Sequence, residues 1–262
     1  MSASSRDTLL ETLLRRDRLI VAAGLALAVL LSWSWLVPMA RDMSGSMSGA
    51  AAWMMASEWN VPYAAAMAGM WAAMMLGMML PSATPTILLY ARVVRTAAPP
   101  QAAVLRSYVF ATGYLLVWTV FSIAATALQL VLSHVGVLSP MMQTTAPTLG
   151  ACLMLAAGIY QLTPVKRSCL AHCRSPVEYI VEHWADGTSS ALRMGVRHGF
   201  YCLGCCWALM LLLFFGGVMS LAWIALLAIA VLVEKLLPFG AVAGRVGGLL
   251  LIAAGVALLF RT

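Results

Sequence analysis

Charge is what this sequence holds least of. Acidic and basic residues make up 10% of the 262-residue chain, against roughly a quarter in a soluble domain. Ionised groups are therefore too few to solvate the surface of a water-soluble fold. Also missing are a Gly-rich phosphate loop, an interleaved basic and aromatic run, an HExxH pair, a Ser/His/Asp set and paired carboxylates within an apolar block. These absences remove nucleotide, nucleic-acid, hydrolytic and proton-relay readings. The net charge of +7 does not restore a nucleic-acid partner, because the basic residues flank apolar blocks, where topology accounts for them. No segment repeats at a fixed period.

Hydrophobic residues are abundant, at 63% of the chain with a mean hydropathy of +0.92. They come in blocks of about 20, the length needed to cross a hydrocarbon core of ~30 Å as a helix. The blocks are rich in Leu, Ala and Met and lack two-residue alternation, so they read as helices rather than barrel strands. Seven are expected, at 19–39, 62–80, 104–132, 146–163, 200–218, 221–237 and 240–260. The second is expected to run past Pro81 and Pro85 to Tyr90 as a kinked helix. The first, at about 21 residues, is long for a signal-peptide core and reads as a retained anchor. The fold class is thus all-α, a polytopic helix bundle of about seven spans forming a single domain. Residues 1–61 supply an anchor and an outer Met/Ser segment, and 62–262 supply the core.

Lys and Arg set the orientation. With a cytoplasmic N-terminus, only Arg41 and Arg261 of the 16 basic residues fall outside, which places the N-terminus inside and the C-terminus outside a multi-pass membrane chain. Trp33, Trp35, Trp53 and Trp59 then gather at the outer interface as an aromatic belt. Residues 163–199 form the longest polar stretch, expected as a cytoplasmic cap with short helices at Pro176–Trp184 and Ser189–His198. Glu58 and Glu234 are expected at interfaces.

The six cysteines are concentrated in or near the fourth and fifth blocks. Cys152 stands alone, as an inert buried cysteine commonly does. Cys169 and Cys173 form a CxxxC with His172 inside it. Cys202, Cys205 and Cys206 open the fifth block as CxxCC, and on a helix they share one sector with Met210 a turn deeper. The reduced cytoplasmic side argues against a disulfide framework. A cap folded over the second cluster would bring several sulfurs together, a donor set suited to Cu(I), zinc or an iron–sulfur cluster. His172 is a further candidate ligand, whereas His183 and His198 read as solvated.

Methionine is the other excess, with 18 in the chain. Met67, Met70, Met74, Met75, Met78 and Met79 occupy one half of the second block's helical wheel. Ala65, Gly69, Ala73 and Gly77 stripe the other half as a close-packing surface, within the chain or between subunits of an oligomer. A single Met is ordinarily a filler of irregular interiors, but six at three- and four-residue spacing suggest a metal pathway. Met39, Met43, Met47, Met54, Met55, Met141 and Met142 continue the pattern outside. Thioethers stay soft in an oxidising compartment and prefer Cu(I) to zinc. Thioethers outside and through the membrane, with thiols inside, make a ladder of weak sites leading to stronger ones.

Three stretches carry a family resemblance: Met78–Ser82 (MMLPS), Tyr160–Arg174 (YQLTPVKRSCLAHCR) and Gly199–Met210 (GFYCLGCCWALM), joined by Glu234-Lys235. Together they resemble a bacterial family described as predicted metal-binding integral membrane proteins of unknown function, over roughly residues 62 to 260. The resemblance implies a multi-pass protein of a bacterial inner membrane with a metal site at Cys169, Cys173, Cys202, Cys205 and Cys206. Copper itself follows from ligand softness, not from the family. The expectation is a non-enzymatic Cu(I) transport or delivery protein whose partners are the lipid bilayer, the metal ion, and a copper chaperone or larger membrane complex. Alternatives are a subunit of such a complex with a four-thiolate zinc site, a mercury-uptake variant of the metal reading, and a thiol–disulfide oxidoreductase using Cys202 and Cys205.

Overall fold

Prolines mark where the helices begin. A proline lacks an N–H, and the first helical turn leaves N–H groups unpaired, so the two fit each other. The computed structural model describes residues 3–44, 59–139 and 142–261, with side chains from 18 to 42 and from 59 onward. Its helices are α1 (Ala3–Ser44), α2 (Val61–Ala97), α3 (Pro100–His134), α4 (Pro147–Leu162), α5 (Pro164–Arg174), α6 (Pro176–His183), α7 (Thr188–Leu211), α8 (Leu213–Gly216), α9 (Leu221–Leu236) and α10 (Gly240–Leu259). Proline opens α2 through α6. Asn60 caps α2 by accepting from the Tyr63 N–H at 2.9 Å, and Thr163 caps α5 by accepting from the Lys166 N–H at 3.3 Å. Among the described residues only an isolated bridge, Leu138 to Thr144, is not helix or loop.

Five helical stretches are long and apolar enough to cross a membrane, and a sixth arises if α4 and α5, bent by 65° at Thr163-Pro164, count as one. The block at 221–237, expected as a span, forms the 16-residue α9, ~24 Å long and short of a ~30 Å core. Helices α2 and α3 overshoot it instead, with 37 and 35 residues and so about 55 and 52 Å. The helix expected separately at Ser189–His198 is the first half of α7. Ala191, Met194, Gly195 and His198 face inward there while Arg193 and Arg197 face out, so nothing breaks the helix before the apolar run begins.

Helix α2 runs unbroken through Pro81 and Pro85, as expected. Pro81 has no N–H to give to the Gly77 carbonyl four residues back. The Trp33 indole of α1 donates to that carbonyl at 3.3 Å, replacing the lost bond. Trp33 therefore serves helix packing as well as any interfacial role, and Gly77 lies close against Ser32 and Trp33. Elsewhere on the small-residue stripe Ala65 and Gly69 are exposed and Ala73 is half-buried, so α1 uses only its deep end.

Helices α3 and α7 cross at backbone contact. A side-chain carbon at Gly113 would collide with the Leu192 carbonyl, and one at Gly195 with the Phe110 carbonyl. Beyond the bundle, the overshooting ends of α2 and α3 receive α6. Trp184 lies 5.9 Å from Tyr90, which stacks on Phe110 at 4.7 Å. Tyr179 donates to the Met194 carbonyl at 2.5 Å, its phenol held above the usual range by burial, and Arg106 pairs with Asp186. Helices α5 and α6 are thus fastened over one end of the bundle, and α5 lies along α7.

Candidate metal centre

Sulfur atoms from α2, α5 and α7 meet at this end. On α7, Cys202, Cys205 and Cys206 are all buried, at 1% exposure each. Their spacing lets Cys205 and Cys206 both donate to the Cys202 carbonyl, at 3.1 and 3.0 Å. Helix α5 brings its pair across: Cys173 interacts with Cys205, and Cys169 rests against Gly204, whose missing side chain leaves room for that thiol. Helix α2 adds Met79, whose Sδ lies 3.9 Å from Cys206 Sγ. Cys202, a neighbour of Cys206, also faces polar partners, with Lys235 Nζ at 2.8 Å and the Tyr114 hydroxyl at 3.0 Å. That hydroxyl also reaches the Met79 carbonyl at 3.0 Å, and Lys235 also reaches Ser82 Oγ at 3.2 Å.

All five proposed cysteines therefore lie in one region. They do not form a finished coordination shell: among the described residues, no three His, Cys, Asp or Glu side chains are grouped to hold a metal ion. The thiols are held by hydrogen bonds that a metal would have to replace. Soft donors fit a d10 ion that accepts few ligands, since Cys173, Cys205, Cys206 and the Met79 thioether are neighbours through successive pairs. His172 is engaged elsewhere, stacked on Tyr201 at 4.2 Å with Nδ1 2.9 Å from the Ser168 carbonyl. Cys152 is exposed on α4, away from the buried inert place expected for it.

Met67, Met70, Met74, Met75, Met78 and Met79 are all completely buried, so the methionine half of α2 faces the protein interior rather than lipid. Met210 is buried too, one turn beyond Cys206. At the far end of the row the Gln129 amide reaches Met67 Sδ at 3.7 Å and accepts from the Trp71 indole at 2.8 Å. Met39 and Met142 are likewise buried. Met47, Met54, Met55, Met141, Trp53 and Glu58 lie outside the described residues, as does the side chain of Met43.

Sequence reasoning missed the polar groups around the thiols. Glu234, expected at an interface, is buried among the helices: its Oε2 is 2.5 Å from Lys166 Nζ and its Oε1 accepts from Gln161 Nε2 at 2.8 Å. Lys166 also bonds Gln161. Arg174 closes the same corner by donating to the carbonyls of Glu234 at 2.6 Å and Pro238 at 2.9 Å. The available signal was Glu234-Lys235 ending an apolar run and Gln161 closing another, positions where an ionisable or amide group needs a named partner. His198, expected to be solvated, is not. It is buried among Phe110, Tyr114 and Tyr179, with Nδ1 unpartnered.

No curated protein and no solved structure matches this chain. A family model does, over residues 68–258, a range that holds the five clustered cysteines, the methionines from Met70 to Met79, and the Lys166, Glu234 and Lys235 groups behind them. With that range covering most of its length, the chain belongs to the PpoB2 family, described as copper chaperone.

Proposed function

We propose that this protein is a membrane copper chaperone that accepts Cu(I) along the buried methionines of α2 and holds it at the thiols of α5 and α7 for delivery. The observation that carries the reading is the junction of the two sulfur sets, Met79 Sδ to Cys206 Sγ at 3.9 Å. Met67 to Met79 spans ~18 Å of helix, with sulfur donors recurring every turn. Neutral thioethers bind a soft monovalent ion weakly enough to pass it on, and thiolates bind it more firmly. The terminal ligands are a pair drawn from the neighbouring thiols Cys173, Cys205 and Cys206, with Cys202 and Cys169 flanking them and Met210 behind. A tetrahedral zinc clip would need four donors closed about one point, and the successive pairing of the thiols suits an ion of lower coordination better. No step of this role calls for bond chemistry, so the protein acts as a carrier and not as an enzyme.

The same reading places the chain in a bacterial inner membrane as one helical domain, with α9 as a short seventh crossing and the N-terminus cytoplasmic. Residues 163–199 then form the cytoplasmic cap. Met79 lies ~27 Å along α2 from Val61, which sets the thiols near the inner edge of a ~30 Å core. Two loading routes converge there: methionines from outside and the cap from inside.

Element-resolved metal analysis of the purified protein, in mild detergent under reducing conditions, tests the proposal. Wild type should retain copper after dialysis. A variant with Cys202, Cys205 and Cys206 replaced by Ser should lose nearly all of it. Equal copper in both, or zinc in place of copper, rejects the assignment.

A further inference from the structure

Lys235 carries a positive charge into the middle of the proposed copper site, where a cation is the cargo. Its side chain is buried, and its hydrogen bonds run to Cys202 Sγ at 2.8 Å and Ser82 Oγ at 3.2 Å. The adjacent carboxylate does not balance it. Glu234 is already engaged by Lys166 at 2.5 Å and by Gln161 at 2.8 Å, so that pair sums to zero. Arg174 is spent on the carbonyls of Glu234 and Pro238. The negative charge available to Lys235 is that of the thiolates themselves.

We infer that Lys235 makes the thiol cluster selective for monovalent over divalent soft cations. The inference rests on the copper-site reading above and adds to it the charge of the ion accepted. Each ligating thiol gives up its proton to solvent on metal binding. A monovalent ion on two thiolates leaves a complex of charge −1, which the Lys235 ammonium brings to zero. A divalent ion on the same two thiolates is neutral, and the ammonium then stands as an unbalanced buried charge. Balance for a divalent ion would need a third thiolate at the same point. No group of three such side chains is assembled among the described residues. Lys235 does not ligate: it is a specificity-determining group acting through the field at Cys202.

The full-length protein in detergent is titrated with Ag(I), a redox-inert monovalent probe, and with Cd(II), a soft divalent one, reading thiolate-to-metal absorption. The Lys235→Gln and Lys235→Met variants should lower the ratio of Ag(I) to Cd(II) affinity at least about tenfold. The Lys235→Arg variant, which keeps the charge, should hold the ratio within about threefold of wild type. A ratio unchanged in the neutral variants, or equal losses for both ions, overturns the inference while leaving a soft-metal site in place. Failure of wild type to bind either ion removes the copper reading instead. If both neutral variants misfold, the wild-type ratio is compared with that of a soluble dithiol lacking an ammonium group, and a ratio no larger than the dithiol's also overturns the inference.

Discussion

The two sulfur regions of this molecule are built on opposite principles. Around Met67 to Met78 the hydrogen bonds are those of uncharged groups, such as the Gln129 amide with the Trp71 indole and the Met67 sulfur. Around Cys202 to Cys206 the sulfurs sit among an ammonium, a phenol, a serine hydroxyl and, one helix away, a closed carboxylate–ammonium pair. A thioether needs no deprotonation to ligate, so an apolar sheath imposes no cost on the empty methionine row. A thiol must ionise to ligate, and an ion in such a sheath would be costly without a countercharge. The polar shell thus belongs to the thiols and not to the methionines. It also makes the thiol end the part of the fold most sensitive to single substitutions.

The largest expected effect follows from that asymmetry. Replacing Glu234 with Leu would leave Lys166 buried without its partner and remove the acceptor of Gln161. Breaking a buried pair in this way costs about 3–5 kcal/mol. Thermal unfolding in detergent should show a fall of that size, and α5, which carries Lys166, Cys169 and Cys173, should become the first segment to exchange its amide hydrogens. If Glu234→Leu unfolds like wild type, the pair does not fasten α5, and the polar shell has no structural part to play.

The methionine region should respond in the opposite way. A swap of Met for Leu nearly conserves volume and costs less than about 1.5 kcal/mol at each site. The double change Met74→Leu with Met78→Leu should leave unfolding close to wild type and leave the copper content at the thiols intact. Entry should suffer: the initial rate of Cu(I) loading from the outer face of proteoliposomes should drop at least several-fold. An unchanged rate would reduce the row to packing and confine metal handling to the thiols.

Much of this division was legible in the sequence, because it rests on residue types at helical spacing. The apolar blocks gave the helices, and Met67 to Met79 at three- and four-residue intervals gave one face. The continuation of α2 past Pro81 and Pro85 followed from the apolar residues beyond them. What the pattern could not supply was partnership between distant segments. The Trp33 indole answers a carbonyl freed by Pro81, a relation 44 residues apart. Lys166 and Glu234, 68 residues apart, each look interfacial alone and become a buried pair only once α5 bends back onto α9. The separate helix expected at Ser189–His198 shows the same limit from another side. Polar residues line one face of α7 there, while the inward face continues without interruption.

The smallest effect tests whether the α5 pair is a ligand set or a lid. Cys169 rests against Gly204, and a methyl group there would stand within 2.7 Å of its sulfur. Real carbon–sulfur contacts are longer, so Gly204→Ala must push Cys169 outward while leaving the buried face of α7 in place. The Tyr160 hydroxyl of α4, which donates to the Gly204 carbonyl, and Cys173 of α5, which meets Cys205, still hold α7 in place. Overpacking of this kind costs about 1–3 kcal/mol where nothing yields, and less here because a single half-buried side chain can turn. If Cys169 ligates, the variant should lose Cu(I) affinity a few-fold, with Cys169→Ser giving a similar loss and the two changes together no more than either alone. If affinity holds in both, Cys169 only covers the site, and the terminal ligands reduce to Cys173 and the α7 thiols.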